Sequence, residues 1–193
     1  MADELIDVFD ENNNHLGIQM MKSEVHKKNL WHRAAHIWIY NSKGEILLQL
    51  RDKKKWLFPD MWDISAAGHV GANESPVVSA IREIKEEIGL DVEERDLDFI
   101  EVRKKESRKD SDNKEIKINE FYYVYFLKYD NDITSLKLQD GEVSAIRSLP
   151  IKKIEEELRT RPEKYAPHGE YWFDVINEIR KRQEQQKLGK PNI

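Results

Sequence analysis

Alternation of apolar and polar positions predicts a chain that is rich in β-strands. Two strands near the N-terminus are expected to pair, and two others flank the turn SKG as a hairpin. A polar loop, SRKDSDNKE, separates two of the later strands. In chain order, the predicted strands are ELIDVFD, IQMMKSEV, AHIWIYN, EILLQLRD, WDISAAG, LDFIEVRK, INEFYYVYFLKY and EVSAIRSLP.

Helical periodicity predicts one helix in the middle of the chain and others at its C-terminal end. The first runs from residue 75 to about 89, and the later ones cover IKKIEEELRT and EYWFDVINEIRKRQEQQ. The last residues, KLGKPNI, are typical of a frayed tail. Strands that pair with their neighbours, with one helix inserted, predict an α/β fold in which helices cover a mixed sheet.

The middle helix has clear start and stop signals. Ser75 supplies a hydroxyl cap, and Pro76 is tolerated in the first turn because its missing N–H has no helical partner there. Gly89 favours termination. Apolar residues follow at spacings of four, three and four, so they form one stripe that should face the core. They are Val77, Ile81, Ile84 and Ile88.

Three glutamates of this helix, Glu83, Glu86 and Glu87, are spaced so that their carboxylates are neighbours. We expect them on the side opposite the stripe. They occupy the C-terminal half of the helix, which disfavours negative charge, and they lack a basic partner for each charge, although Arg82 can pair with Glu86 four residues later. A solvated acidic face is one interpretation. The other is a site for Mg²⁺ or Mn²⁺, which prefer oxygen ligands.

Composition narrows the function classes. Charged residues make up 36% of the 193 residues, hydrophobic residues 39%, and the net charge of −5 argues against general nucleic-acid binding. The lack of cysteine excludes disulfides and thiolate sites and fits a reducing compartment. Neither a signal peptide nor an apolar run of roughly 20 residues is present. We therefore expect a cytoplasmic protein without nucleic-acid or membrane partners.

The order of residues from Gly68 to Leu90 is more specific than the helix alone. Gly68 is followed after five residues by Glu74 and after seven more by REIKEEIGL, which begins at Arg82. This stretch resembles the Nudix hydrolase signature at every fixed position. The resemblance implies a Nudix-type α/β/α sandwich with a central mixed sheet. We expect a single Nudix domain over residues 1–193, with its core at about 32–150, an N-terminal strand pair at about 4–28 and C-terminal helices at about 151–187.

Such a resemblance implies metal-assisted hydrolysis of a diphosphate that is linked to another group. It implies that Glu83, Glu86 and Glu87 are catalytic and bind a divalent ion, Mg²⁺ or alternatively Mn²⁺, with the carbonyl of Gly68. It gives Glu74 and Arg82 structural roles, orienting these glutamates. A carboxylate must also accept a proton from water. Whether Glu83 or Glu87 does so stays open, and Glu142 is a further candidate.

The basic loop RDKKK follows a predicted strand, and its outer members are Arg51 and Lys55. Both could bind the phosphates of a substrate. Runs of lysine are often simply solvated loops, and this alternative also stays open.

Two further stretches, HKKNLWHRAAHIWIYN and WDISAAGHV, resemble the branch of the family that contains isopentenyl-diphosphate isomerase. That enzyme binds a metal through three histidines and two glutamates. His26, His32, His69 and Glu120 occupy matching positions, whereas Ile118 stands in place of the second glutamate. The histidines are therefore either hydrogen-bonded structural residues or a second metal site suited to Mn²⁺ or Zn²⁺.

The isomerase also needs a cysteine as its proton-transfer acid, and Ala67 holds that position here. Alanine cannot titrate, which argues against isomerisation. We predict a divalent-metal-dependent hydrolase that cleaves a nucleoside diphosphate or a derivative of one. An isomerase-like protein and a non-catalytic binding module are the alternatives. The linked group, the number of ions and a homodimer through the N-terminal strands or a sheet edge stay open.

Overall fold

The computed structural model describes residues 3–109 and 114–187. Part of the loop SRKDSDNKE and all but the first residue of the tail KLGKPNI lie outside these ranges. The strands are β1 (Leu5–Phe9), β2 (His15–Met21), β3 (His32–Tyr40), β4 (Glu45–Arg51), β5 (Trp62–Asp63), β6 (Ala66–His69), β7 (Leu97–Lys109), β8 (Glu115–Lys128) and β9 (Val143–Pro150). The helices are α1 (Lys22–Lys27), α2 (Pro76–Ile88), α3 (Ile151–Thr160) and α4 (Glu170–Lys187).

Seven strands form one mixed sheet around β3. The hydrogen-bonded order is β5-β4-β3-β8-β7, while β6 also pairs with β3 and β9 with β4. The β3–β8 pair is parallel and sets His32 beside Glu120, whereas the other pairs are antiparallel. The predicted mixed central sheet is thus confirmed. β1 and β2 form a separate antiparallel pair.

Both faces of β3 are buried, which explains its nearly continuous apolar sequence. On one face Trp38 packs in a cluster with Trp172 and Ile176 of α4. On the other face Ile37 packs in a cluster with Ile84 of α2. Burying each such side chain contributes about 1.5–3 kcal/mol. The two clusters place α2 and α4 on opposite sides of the sheet, which makes the α/β/α sandwich.

The predicted second strand, IQMMKSEV, is only partly right. β2 ends at Met21, opposite Leu5, where β1 begins, so the following residues have no strand to pair with. They form α1 instead, which buries Val25 against Ile6 and Val8. The prediction failed because strand alternation continues through residues that pack as a helix.

The predicted strand WDISAAG divides into β5 and β6 because the chain changes neighbours within it. Asp63 pairs with β4, whereas Ala66 pairs with β3. Between them Ser65 Oγ donates to the carbonyl of Leu47 at 2.6 Å and accepts from the N–H of Ile39 at 2.7 Å. This buried hydroxyl joins β3 to β4 and fixes where Asp63 and Gly68 lie.

The middle helix begins and ends as its sequence predicts. Ser75 Oγ accepts from the N–H of Val78 at 3.4 Å, Pro76 occupies the first turn, and Gly89 adopts a left-handed φ of 71°. None of the helices within the described ranges is both long and apolar enough to cross a membrane.

Candidate active site

A cavity of about 460 Å³ opens between α2, the sheet and the N-terminal elements. It collects most of the residues that the sequence indicated. Among the described residues, only Glu74 and His32 of that set do not line it. Those that do are Glu83, Glu86 and Glu87 of α2, Arg51 and Lys55 of the basic loop, Arg82, Gly68, His26, His69, Glu120 and Glu142.

Glu87 corrects the prediction that all three glutamates lie opposite the apolar stripe. It is only 5% exposed, because it lies beside Ile84 and Ile88 at the edge of the buried face. Its Oε2 accepts from the N–H of Ala67 at 3.0 Å and from Nε2 of Gln49 at 3.3 Å. The sheet therefore fixes the direction of this carboxylate.

The glutamates of α2 are short of compensating charge. Burial raises the pKa of Glu83 to about 7, although Arg82 opposes this shift. Burial and the nearby Glu83 raise the pKa of Glu87 to about 8. A divalent cation supplies what this oxygen cluster lacks, so the residues present fit Mg²⁺ or Mn²⁺.

Gly68 lies directly against Glu83. A Cβ atom at residue 68 would overlap the Glu83 carboxylate, so the close approach of strand β6 to helix α2 requires glycine. The side chain of any other residue would displace one of the three carboxylates.

Arg82 ties helix α2 to the loop before it. Its guanidinium donates to Glu83 at 2.6 Å, to Glu74 at 3.2 Å and to the carbonyl of His69 at 3.1 Å. It also pairs with Glu86 at 3.5 Å, four residues away. Glu74 accepts from Ser79 at 2.5 Å. These contacts hold the Glu83 carboxylate beside Gly68.

The basic loop contributes two cations to the same cavity. Arg51 Nε donates to the carbonyl of Leu57 at 2.8 Å, and Lys55 forms an ion pair with Glu142. Lys55 is half-buried, whereas Lys53 and Lys54 beside it are exposed. The lysine run is therefore not a uniformly solvated loop.

Three histidines converge beside Gly68. His26 Nε2 lies 3.2 Å from His32 Nε2 and 3.2 Å from His69 Nε2, and the potential ligand atoms lie within 4.8 Å of one another. Oε1 of Glu120 is 3.5 Å from the Nε2 atom of His32 and 3.7 Å from that of His69. Ile118 adds an apolar side chain, not a carboxylate, to the cavity wall.

Neighbouring groups orient two of these rings. His32 Nδ1 lies 3.0 Å from the carbonyl of Leu30, which can only accept, so Nδ1 donates there and Nε2 is directed toward His26. His69 Nδ1 faces Glu4 Oε1 at 3.6 Å. Burial holds the pKa of His69 well below its usual value. Histidine rings held by outer partners of this kind are typical of metal ligands.

Several polar residues of the cavity region were missed by sequence reasoning. Gln49 and Asp63 are polar residues buried in short strands, a signal that could have been noticed. Glu4 and His168 carry no comparable signal, because the fold brings them in from the two ends of the chain.

Helix carboxylates and basic residues that line one cavity suit a metal ion and a phosphate ligand. The NUDIX domain family model matches residues 30–169. Nudix hydrolase 3 of Arabidopsis thaliana is 35% identical over 92% of this chain, which spans 24% of that protein's length. An uncharacterized Nudix hydrolase of Clostridium acetobutylicum is 33% identical over 80% of this chain and 73% of its own length. The chain belongs to the Nudix family and is classed with the Nudix hydrolases.

This chain is also similar, over part of its length, to isopentenyl-diphosphate isomerases. An isopentenyl-diphosphate Delta-isomerase of Serratia proteamaculans is 37% identical over 47% of this chain and 50% of that protein.

Solved structures confirm the fold. A protein of Deinococcus radiodurans superposes with a TM-score of 0.66 over 91% of this chain and 99% of its own, at 20% identity. The Nudix domain of NrtR from Shewanella oneidensis, crystallised with ADP ribose, has a TM-score of 0.58 over 84% of this chain and 99% of its own, at 14% identity.

Proposed function

We propose that this protein is a divalent-metal-dependent hydrolase that cleaves the diphosphate linkage of a nucleoside diphosphate or a derivative of one. The observation that carries the proposal is that Glu83, Glu86 and Glu87 line the same cavity as Arg51 and Lys55. This arrangement provides oxygen ligands for a cation and positive charge for phosphate oxygens.

The metal ligands would be Glu83, Glu86, Glu87 and the backbone carbonyl of Gly68. Mg²⁺ or Mn²⁺ held there would neutralise phosphate oxygens and make the attacking water more acidic. Arg82 positions the Glu83 carboxylate, and Glu74 in turn positions Arg82, by the hydrogen bonds described above.

Protein groups perform the remaining steps. Arg51 and Lys55 bind the phosphate oxygens and hold the substrate for attack by water. Glu83 or Glu87, the two buried carboxylates, accepts the proton of that water. The leaving phosphate then departs with the electron pair of the broken P–O bond.

Histidines His26, His32 and His69, with Glu120, form a second metal site in this proposal. Three ring nitrogens and one carboxylate suit Mn²⁺ or Zn²⁺ better than Mg²⁺. Elemental analysis of the purified protein should find such a metal, and His32→Ala should abolish its retention. Protein that binds neither metal at the histidines would contradict the second site alone.

Isomerisation is the weaker alternative because the cavity wall offers Ala67 where that chemistry needs an acid. Incubation with isopentenyl diphosphate in deuterated water should leave its methylene carbons without deuterium.

A substrate panel tests the main proposal. Nucleoside diphosphates, their sugar derivatives and isopentenyl diphosphate are each incubated with Mg²⁺ or Mn²⁺, and products are followed by phosphorus NMR. We expect hydrolysis of at least one nucleotide member and a loss of about 100-fold or more in kcat with Glu87→Gln. Glu106→Gln, which changes an exposed carboxylate on β7, serves as the matched control. The proposal fails when no nucleotide member of the panel is hydrolysed with either ion.

A further inference from the structure

An imidazole–carboxylate pair, His168 and Asp63, lines the cavity and has no role in the hydrolysis proposed above. Asp63 on β5 is 4% exposed, and its Oδ1 lies 2.6 Å from His168 Nε2. Its Oδ2 accepts from Arg51 at 3.4 Å. Burial alone would raise the pKa of Asp63, but His168 and Arg51 hold it well below its usual range. Asp63 is therefore a fixed, ionised acceptor that orients the His168 ring.

The other ring nitrogen of His168 remains for a ligand. The side chain is 10% exposed and lines the cavity. Within residues 3–109 and 114–187, Nδ1 of His168 has no hydrogen-bond partner. Phe58, Tyr171 and Trp172 pack around the ring with centroid distances of 5.9 Å each, so it cannot easily turn away. The cavity lining thus presents one oriented polar atom, His168 Nδ1, between aromatic side chains.

The His168–Asp63 pair is connected to the residues proposed to bind phosphate and metal. Asp63 contacts Arg51, a proposed phosphate ligand, and pairs across the ladder with Gln49. Gln49 in turn donates to Glu87. One residue therefore separates His168 from Arg51, and two separate it from Glu87. The group attached to the diphosphate is the part of a substrate that would reach Nδ1.

We propose that His168 Nδ1 hydrogen-bonds a hydroxyl of the group linked to the diphosphate, so that the enzyme selects sugar-linked diphosphates over hydrocarbon diphosphates. The inference rests on the proposed hydrolase function and assigns to it a residue that determines substrate specificity. A hydroxyl donates to a neutral imidazole and accepts from a protonated one, so it fits both states. A hydrocarbon would leave Nδ1 desolvated and unpaired. This should lower kcat/KM by about ten- to a hundredfold.

Apolar residues that line the same cavity suggest an alternative, recognition of a hydrocarbon group, which the experiment must exclude. Ala34, Ile64 and Ala67 line the cavity together with His168. If they dominate recognition, a hydrocarbon diphosphate should be accepted as well as a sugar-linked one.

The test compares a ribonucleoside 5′-diphosphate with its 2′,3′-dideoxy analogue and with isopentenyl diphosphate. We expect the wild-type kcat/KM to favour the ribonucleotide by about ten- to a hundredfold over both. His168→Phe keeps a planar ring but has no nitrogen. It should raise KM for the ribonucleotide and leave kinetics with the dideoxy analogue within about threefold, which a purely structural role would not do.

His15→Phe is the matched control, because His15 also pairs with an aspartate, Asp7 at 3.2 Å, but lies outside the cavity. It should not change the preference. Equal wild-type kcat/KM values for the three compounds would overturn the inference, and this comparison needs no variant. An unchanged preference for the ribonucleotide in folded His168→Phe would overturn it as well. Failure of the proposed function differs from both, because the wild type would then hydrolyse none of the nucleotides.

Discussion

Gly68 is the residue whose small size matters most to the acidic cluster. It has no side chain where β6 meets α2, and the Glu83 carboxylate occupies the position of a Cβ atom. Gly68→Ala should displace this carboxylate and weaken Mg²⁺ affinity by about tenfold or more, as loss of ligand orientation does elsewhere. Isothermal titration with Mg²⁺ measures the change.

Gly17→Ala is its control. Gly17 has a left-handed φ of 70° and no neighbour within 4 Å of an added Cβ, so this change strains the backbone far from the acids. It should lower the thermal midpoint and leave Mg²⁺ affinity unchanged. Equal affinities for wild type and Gly68→Ala would show that Glu83 does not bind the ion.

Asp63 makes a residue-level prediction about pH. Its folded-state pKa lies below the unfolded value, so its contribution to stability is present above about pH 4 and is lost as pH falls further. Asp63→Asn should lower the free energy of unfolding at neutral pH by about 3 kcal/mol, the order found on breaking a buried ion pair. Urea unfolding at several pH values should show this difference shrinking in acid, and a constant difference would contradict the assignment.

At the scale of elements, α2 depends on how it ends. Gly89 has a left-handed φ of 71°, and an added Cβ would lie 3.0 Å from the carbonyl oxygen of Lys137. Gly89→Ala should therefore destabilise the fold by about 1–2 kcal/mol, seen as a lower urea midpoint. Because the glutamates lie earlier in the helix, Mg²⁺ binding of the folded variant should persist. An unchanged midpoint would mean that the helix can end without this conformation.

Local signals made some elements predictable and left others hidden. Ser75, Pro76 and Gly89 act within their own helix, so the bounds of α2 followed from the sequence. The division between β5 and β6 depends on Ser65 bonding to two other strands, which no local pattern encodes. His168 meets Asp63 from 105 residues away, so only the folded chain could reveal the pair.

For the whole molecule, metal binding and stability should be linked through pH. Glu83 and Glu87, with pKa values of about 7 and about 8, retain protons that the unfolded chain releases near pH 4.5. Their contribution to the stability of the metal-free protein therefore falls as pH rises from about 4.5 to about 8. In the proposed site Mg²⁺ would bind the deprotonated carboxylates, so its stabilising effect should grow over the upper part of this range.

Thermal unfolding with and without Mg²⁺ measures this linkage. The increase in midpoint caused by Mg²⁺ should be larger at about pH 8 than at about pH 6. An increase of the same size at both would mean that the ion binds elsewhere, away from the buried glutamates.

The central claim, water attack at phosphorus in the acidic site, is tested most directly with oxygen-18 water. A hydrolysed nucleoside diphosphate is analysed by mass spectrometry after reaction with Mg²⁺. We predict that oxygen-18 enters one of the two phosphate products, only when the metal is present, and that Glu87→Gln suppresses this. Label in the alcohol of the nucleoside, or no metal-dependent product, would contradict the account.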